Sequence, residues 1–278
     1  MAAARKLLRR SGRRERGLVL LEGPSAVSAA IAAGVVREVF TTAAAAHRHG
    51  GLLAELPPST PVHEVTDDAA AALSETVTPQ GLVAVADLPR VGLAEALAAP
   101  ASVPGHRVVV VLVEARDPGN AGTVVRTADA AGADCVIFAG DSVDPWSGKC
   151  VRASAGSLLH LPVVDGVSWD ETVLALKQAG CTVIAADGHA DTDLHGPEAQ
   201  GALAGDHAWV FGNEAHGLSR SHVRSADISL RVPVYGQAES LNLAAAAAVC
   251  VYESARAARE EPSTRSLTEG SAAEEVRG

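Results

Sequence analysis

The run Val108-Val109-Val110-Val111-Leu112-Val113, continuing into Glu114-Ala115-Arg116-Asp117-Pro118-Gly119-Asn120-Ala121-Gly122, decides the fold. Six consecutive β-branched or Leu residues, with no polar residue alternating between them, predict a strand covered on both faces, as strands of parallel sheets are. The polar loop 114–119 and a helix over about 122–131 follow, and then an apolar strand at 135–139. The same alternation runs on toward the C-terminus. It predicts helices around 148–158 and at 169–178, strands at 182–186 and 208–211, and a short helix at 219–225. A strand at 228–232 and a long Ala-rich helix at 241–258 complete it. Strands and helices in strict alternation predict a doubly wound α/β domain with a Rossmann-like parallel sheet.

Upstream lies a second, smaller α/β pattern. A strand at 18–22 is followed by a helix at 24–33 that starts on Pro24, and by a strand at 36–41 after the Gly34 turn. Further strands are expected at 62–65 and 81–86, with a helix at 67–74 between them. Residues 89–107, rich in Ala, Pro and Gly, read as a linker. The domains are therefore taken as 17–100 and 101–258, with the boundary near residue 100. Residues 259–278 are Glu, Ser, Thr, Arg and Gly with few apolar side chains, and predict a disordered tail.

Composition agrees with two globular units: 278 residues, 47% hydrophobic and 20% charged, at roughly 150 residues per domain. No apolar run approaches the ~20 residues a membrane-spanning helix requires, so no membrane partner is expected. The apolar run after the basic N-terminus is only 18–21, too short for a secretory signal. Cys135, Cys150, Cys181 and Cys250 lie far apart without a CxxC, which points to buried free thiols and a cytoplasmic protein.

The net charge of −10 argues against a nucleic-acid partner, but its distribution argues the other way. Residues 1–16 carry Arg5, Lys6, Arg9, Arg10, Arg13, Arg14 and Arg16 against Glu15 alone. Two readings stay open for this block: a mobile solvated tail, or a basic arm that grips a phosphate backbone by counterion release.

Three polar, glycine-containing loops leave the C-terminal ends of predicted strands, where open α/β sheets bind their ligands. They are Asp117-Pro118-Gly119-Asn120-Ala121-Gly122 running on to Arg126, then Gly212-Asn213-Glu214-Ala215-His216-Gly217-Leu218, then Val232-Pro233-Val234 running on to Ser240-Leu241-Asn242. Singly each is an ordinary turn sequence. In this order they resemble the three motifs of the SpoU branch of the SPOUT RNA methyltransferases, over about residues 108–253. Leu21-Glu22-Gly23-Pro24 after a basic stretch is similar to the ribosomal-protein-like RNA-binding domain that many members carry in front.

The resemblance implies S-adenosylmethionine as methyl donor and a ribose 2′-hydroxyl as acceptor, with 23S ribosomal RNA as the expected substrate. It also implies a deep C-terminal trefoil knot, which pattern reasoning alone would not predict because knots are so rare. A homodimer with the active site near its interface is expected. Gly212, Val232 and Leu241 would meet the donor, largely through backbone groups, with the loop after 182–186 completing the adenosine pocket. Arg126 would act at the proton-removal step, helped by Asn120, Glu214, Ser240 and Asn242.

A neutral ribose hydroxyl is a poor nucleophile and must lose its proton as it attacks. A guanidinium whose pKa lies above ~12 is an awkward base. A role for Arg126 in holding phosphate and stabilising the developing alkoxide therefore fits its chemistry better. Each candidate also has a plainer reading: Arg126 paired with Asp129 on its helix, Asn120 and Ser240 as helix N-caps, and Glu214 as a solvated loop acid. The chain departs from the family pattern at Ala215, where Gly is usual. His216 is left out of the site.

The cluster His189, Asp191, Asp193, His195 reads as a polar loop, so no metal is expected. The loop at 119–122 lacks the GxGxxG spacing of a dinucleotide site. Two alternatives remain beside ribosomal RNA methylation: a transfer-RNA 2′-O-methyltransferase, and a catalytically silent RNA-binding or ribosome-assembly factor. With only three Trp, two Tyr and three Phe, base stacking can supply little, and recognition should lean on phosphates and RNA shape.

Overall fold

The computed structural model describes residues 1–259, so the tail expected at 259–278 lies outside the described residues from 260 on. The basic N-terminus is neither a tail nor a free arm. It forms α1 (Ala2–Arg5), a 3-10 turn (Lys6–Leu8) and α2 (Arg10–Arg16), because Ala4, Leu7 and the stem of Arg13 supply a buried stripe between the charges. There follow β1 (Leu18–Glu22), α3 (Pro24–Ala32), β2 (Val36–Thr41), α4 (Ala43–Arg48), α5 (Gly50–Ala54), β3 (Val62–Glu64), α6 (Asp67–Ala71) and β4 (Leu82–Asp87). These strands make a sheet in the order β1-β4-β2-β3, antiparallel except for β2 and β3. Ala4 and Leu7 pack with Leu20, Phe40, Val83 and Val85, so the N-terminal helices are part of this unit's core.

The stretch 89–107 is also not a plain linker. Leu93–Ala98 form α7, whose Ala96 and Leu97 pack with Val109, Val111 and Trp169 of the second sheet. The last strand of the first sheet ends at Asp87, so the change from one core to the other comes earlier than residue 100. Alternating small apolar residues in Leu93-Ala94-Glu95-Ala96-Leu97-Ala98 carried the helical signal, which the flanking Pro and Gly masked.

The second unit contains β5 (Val108–Val113), α8 (Pro118–Ala131), β6 (Cys135–Ala139), α9 (Gly148–Ser154), a 3-10 turn (Ser157–Leu159), β7 (Val163–Val167) and α10 (Trp169–Gln178). It continues with β8 (Thr182–Ala186), β9 (Thr192–Asp193), α11 (Pro197–Leu203), β10 (His207–Phe211), α12 (Arg220–Ser225), β11 (Ile228–Arg231) and α13 (Leu243–Ala257). Seven strands pair in the order β7-β6-β5-β10-β8-β11-β9, every pair parallel. All six residues of β5 are buried, and they divide by parity between two cores. Val108, Val110 and Leu112 face one layer of helices, and Val109, Val111 and Val113 the other. Burial on both faces removes the need for alternation, which is why the run could be read as it was.

From β5 the chain winds outward through β6 to β7, and then crosses to build the other half from β8 to β11. The order therefore reverses between β5 and β10, and a ligand crevice is expected outside their C-terminal ends. α13 returns across this half and packs on α8, β10 and β5. A buried polar network pins it. His207 Nδ1 lies 2.7 Å from the Gly205 carbonyl and Nε2 lies 2.7 Å from Ser254 Oγ, while Trp209 Nε1 donates to that oxygen at 2.8 Å.

The two units are clasped by ions. Arg13, almost wholly buried, donates to Asp144 at 2.5 Å. Arg10 and Arg14 share Asp165, and Arg152 of α9 donates to the buried Glu22 at 2.9 Å. Among the described residues no helix is long and apolar enough to cross a membrane.

Candidate functional site

The first loop begins under strain. Glu114, at the end of β5, has φ 54°, a left-handed conformation that disfavours side chains. Its carbonyl accepts a hydrogen bond from Asn213 Nδ2 at 3.0 Å, which ties the exit of β5 to the exit of β10. α8 then starts on Asp117, whose carboxylate accepts from the backbone N–H of Asn120 at 2.8 Å. Asp117 is thus the N-cap, and Asn120, read as a possible cap, sits one turn inside the helix with its side chain free for other work.

The second loop is folded on itself. Asn213 and Gly217 exchange backbone hydrogen bonds, and Asn213 Oδ1 accepts from Ala215 N at 2.8 Å. The chain passes so close to itself that a β-carbon on Gly212 would collide with the backbone of Gly217 and Leu218. Glu214 is not merely a solvated loop acid. Its two carboxylate oxygens accept from Arg116 N and Asp117 N, each at 2.9 Å, so it clamps the first loop from above.

The third loop ends in Asn242, the N-cap of α13, which accepts from Ala244 N at 2.8 Å. Ser240, read as a candidate cap, is displaced from that role by two residues. The Nδ2 of Asn242 donates to Asn120 Oδ1 at 3.1 Å. The structure therefore sets Asn120 and Glu214 in the lining of an open cleft of about 800 Å3, with Asp117, Asn213, Ala215 and His216, and ties Asn242 to that lining through Asn120.

Arg126 and Ser240 stand apart from this group. Arg126 is exposed, and neither side chain has a hydrogen bond or ion pair among the described residues. Asp129, the candidate partner of Arg126, instead bonds His160 at 2.7 Å. Arg126 follows Asn120 by six helical positions, about 9 Å along the axis and roughly a third of a turn around it. Asp193 of the polar cluster considered for metal binding is taken by Arg231 at 2.8 Å.

The segment that follows β11 and leads to Asn242 has a different character. Val232 is half-buried at the end of β11, while Val234 and Leu241 are each 40% exposed and Tyr235 is 90% exposed. No backbone N–H from 234 to 241 finds a partner among the described residues. Apolar walls beside free main-chain donors and acceptors suit a flat heteroaromatic ring whose edge must be read. S-adenosylmethionine has such a ring, so the residues present fit it.

A parallel sheet whose polar loops meet over its switch point, with apolar walls and open backbone on one side and amide and carboxylate groups on the other, defines a cofactor-binding α/β protein. Residues 107–252 match the SpoU rRNA Methylase family, and residues 2–84 match the MRM3-like substrate binding domain. The chain belongs to the SpoU rRNA methylase family.

Its relatives include the Bacillus subtilis 23S rRNA (guanosine(2553)-2′-O)-methyltransferase RlmP, 34% identical over 251 residues, which are 89% of this chain and 92% of that one. Among solved structures, the SpoU methyltransferase AviRb from Streptomyces viridochromogenes in complex with AdoMet superposes with a TM-score of 0.77 at 29% identity. That match covers 92% of this chain and 96% of the other. The AdoMet-bound rRNA methyltransferase from Sinorhizobium meliloti gives a TM-score of 0.74 at 27% identity, covering 92% and 93%.

The sequence reading left out two participants. Asp117 falls in the loop that the sequence predicts at 114–119, although Asp-Pro before a helix is an N-cap signal. Lys149 lay outside every motif, and only the folded chain sets it on Asp117, with Nζ at 2.7 Å from Oδ2. That hydrogen bond, with those from Asn120 and Gly119, holds the Asp117 carboxyl below its usual range.

Proposed function

We propose that this protein transfers the methyl group of S-adenosylmethionine to a ribose 2′-hydroxyl of 23S ribosomal RNA. The observation that carries this reading is the hydrogen bond from Asn242 to Asn120 beside the loop clamped by Glu214, which joins all three motif loops at one cleft. The likeness to RlmP over nearly its whole length supports ribosomal RNA as the substrate class.

When bound, S-adenosylmethionine supplies an electrophilic methyl carbon. The backbone around Gly212, Val232 and Leu241 holds and orients the donor, with Leu241 and Val234 excluding water from it. Asn120 and Asn242, whose amides already face each other, orient the ribose by hydrogen bonds. Glu214 keeps the first loop in place through two backbone N–H groups. Arg126 neutralises phosphate and stabilises negative charge as the 2′-hydroxyl loses its proton.

Since Arg126 points around α8 away from Asn120, we read it as serving a site shared between two copies. Ala245, Val249 and Tyr252 form an exposed apolar strip at helical spacing on α13, and we assign it to a homodimer interface. Sedimentation should then give about twice the 28.2 kDa chain mass. We also read the segment from β11 onward as the knotted segment of SPOUT proteins, on the support that Asn242, at the start of α13, bonds Asn120 at the start of α8 and that α13 packs on α8. The four buried, unbridged cysteines support a cytoplasmic setting.

The test is transfer from labelled S-adenosylmethionine to total RNA of a deletion strain, with wild-type and Arg126→Ala proteins side by side. Label in large-subunit RNA, resistant to alkaline hydrolysis and absent with the variant, is the expected result. Label in transfer RNA would move the substrate. No label and no donor binding would leave a silent RNA-binding factor.

A further inference from the structure

The N-terminal turn of α8 presents Asn120, and its geometry is governed from outside the three motif loops. Asp117 stands at its centre. One carboxylate oxygen accepts from Asn120 N at 2.8 Å, the other accepts from Lys149 Nζ at 2.7 Å, and the Asp117 N–H is held by Glu214 at 2.9 Å. The bonded series therefore runs from Lys149 through Asp117 to Asn120 and on to Asn242. Gly119 leaves the space this requires. A β-carbon there would lie 2.8 Å from Asp117 Oδ1 and 3.0 Å from Lys149 Cε.

We propose that Lys149 is a positioning residue for methyl transfer, fixing through Asp117 the turn that presents Asn120 to the cleft. The inference rests on the methyltransferase reading above. Lys149 and Asp117 have half-exposed side chains, and an ion pair between two floppy, exposed groups is worth little. Here both ends are anchored. Lys149 is the second residue of α9, and the residues around it are tied to the first sheet's unit: Gly148 N donates to Glu75 at 3.1 Å and Arg152 to Glu22 at 2.9 Å. The Asp117 main chain is held by Glu214. With both termini fixed, little conformational freedom is lost in forming the pair, and the pair can hold the helix start against fraying. The N-terminal unit thereby sets the position of a group in the catalytic loop.

Lys149→Ala, Lys149→Arg, Asp117→Asn and the Lys149→Ala/Asp117→Asn double variant test this in steady-state transfer to 23S RNA and in amide exchange of segment 114–123. Lys149→Ala should lower kcat about fivefold and leave KM for RNA and for donor within about twofold. Lys149→Arg should restore kcat to within about twofold, and the double variant should be no worse than either single one, as expected of residues acting in series. Exchange at the Asn120 amide should quicken about fivefold in Lys149→Ala. A raised KM for RNA with unchanged kcat would make Lys149 a phosphate contact and overturn the proposal. Multiplying losses, or unchanged kcat and exchange, would overturn it as well. Should the wild type methylate no RNA, the functional reading falls, and the exchange comparison still decides the role of Lys149.

Discussion

Acid should loosen the C-terminal half of the second sheet through one buried imidazole. His207 is fully buried, and its Nδ1 must carry a proton to reach the Gly205 carbonyl. Its Nε2 is then an acceptor for the Ser254 hydroxyl, whose oxygen in turn accepts from Trp209. A second ring proton would face a hydroxyl oriented to donate. Burial is the main cause that pushes the His207 pKa down to about 4 from 6.5, against the Gly205 carbonyl, Asp206 and Asp134, which raise it. His106, edge-on at 5.3 Å, adds to the lowering. Because the folded value lies below the unfolded one, the unfolded chain binds the proton first as pH falls. Stability from this residue is whole above about pH 6.5 and declines down to about pH 4. Integrated from pH 7.5 to 4.5, the loss is about 2.5 kcal/mol. Urea unfolding followed by tryptophan fluorescence at both pH values, for wild type and His207→Gln, measures it. The pH-dependent loss should be smaller in the variant by about that amount. Equal losses would refute the reasoning. Should the variant not fold, an NMR titration of the wild-type ring decides, and a midpoint near 6.5 would be fatal to it.

Arg126→Ala should abolish methyl transfer while calorimetric donor binding and stability stay within about 0.5 kcal/mol of wild type, since the side chain is exposed and unpartnered among the described residues; a lost donor affinity would contradict its assignment. Gly212→Ala should weaken donor binding at least tenfold by forcing the second loop off β10, a change of about 1.4 kcal/mol or more readable by calorimetry. All four thiols should resist an aromatic disulfide reagent in the native protein and react after unfolding, because burial raises Cys135 to about 12 and Cys181 to about 11 and pushes Cys150 and Cys250 up further; rapid native reaction of any one would show its site to be open. Replacing Arg5, Lys6, Arg9 and Arg16 together by Gln should flatten the dependence of RNA affinity on salt by up to about three logarithmic units per unit of log salt, and an unchanged slope would show that this face does not meet RNA.

The basic N-terminus can be probed by substitution but not by deletion, because it is folded. Deleting residues 1–16 would take Ala4, Leu7 and Arg13 out of a core, and unfolding would mimic lost RNA binding. The sequence shows seven basic side chains but not their division of labour. Three of them are spent on Asp144 and Asp165, 130 and more residues away, and no local pattern announces such a partnership. The second sheet was far more legible. Val108–Val113, Cys135–Ala139 and Thr182–Ala186 are continuous apolar runs because both faces of each strand are covered, and the periodicity of Trp169–Gln178 is that of a helix with one face covered. β7 (Val-Val-Asp-Gly-Val) escaped notice as an edge strand with a polar residue and a glycine in it.

The site divides along the same line. Motif order was enough to name Asn120, Glu214 and Asn242, yet their duties could be read only from bonds. Glu214 spends both oxygens on backbone N–H groups, Asn242 spends its own on capping α13, and Asp117 spends one on Asn120 N. Glu214, Asn242, Asp117 and Asn213 are thus first clamps on irregular backbone, and that has a physical cause. Loops that leave parallel strands have no ladder to satisfy their N–H groups, so side chains must do it. The groups left unspent after this accounting are the Asn120 and Asn242 amides facing each other, the open backbone from 234 to 241, and Arg126 with Ser240. Chemistry has to be assigned to those. A substitution at Glu214 that lowers activity therefore reports on loop geometry, and Glu214→Gln, which keeps one of the two acceptor oxygens that now hold Arg116 N and Asp117 N, should recover part of what Glu214→Ala loses in kcat even though it carries no charge.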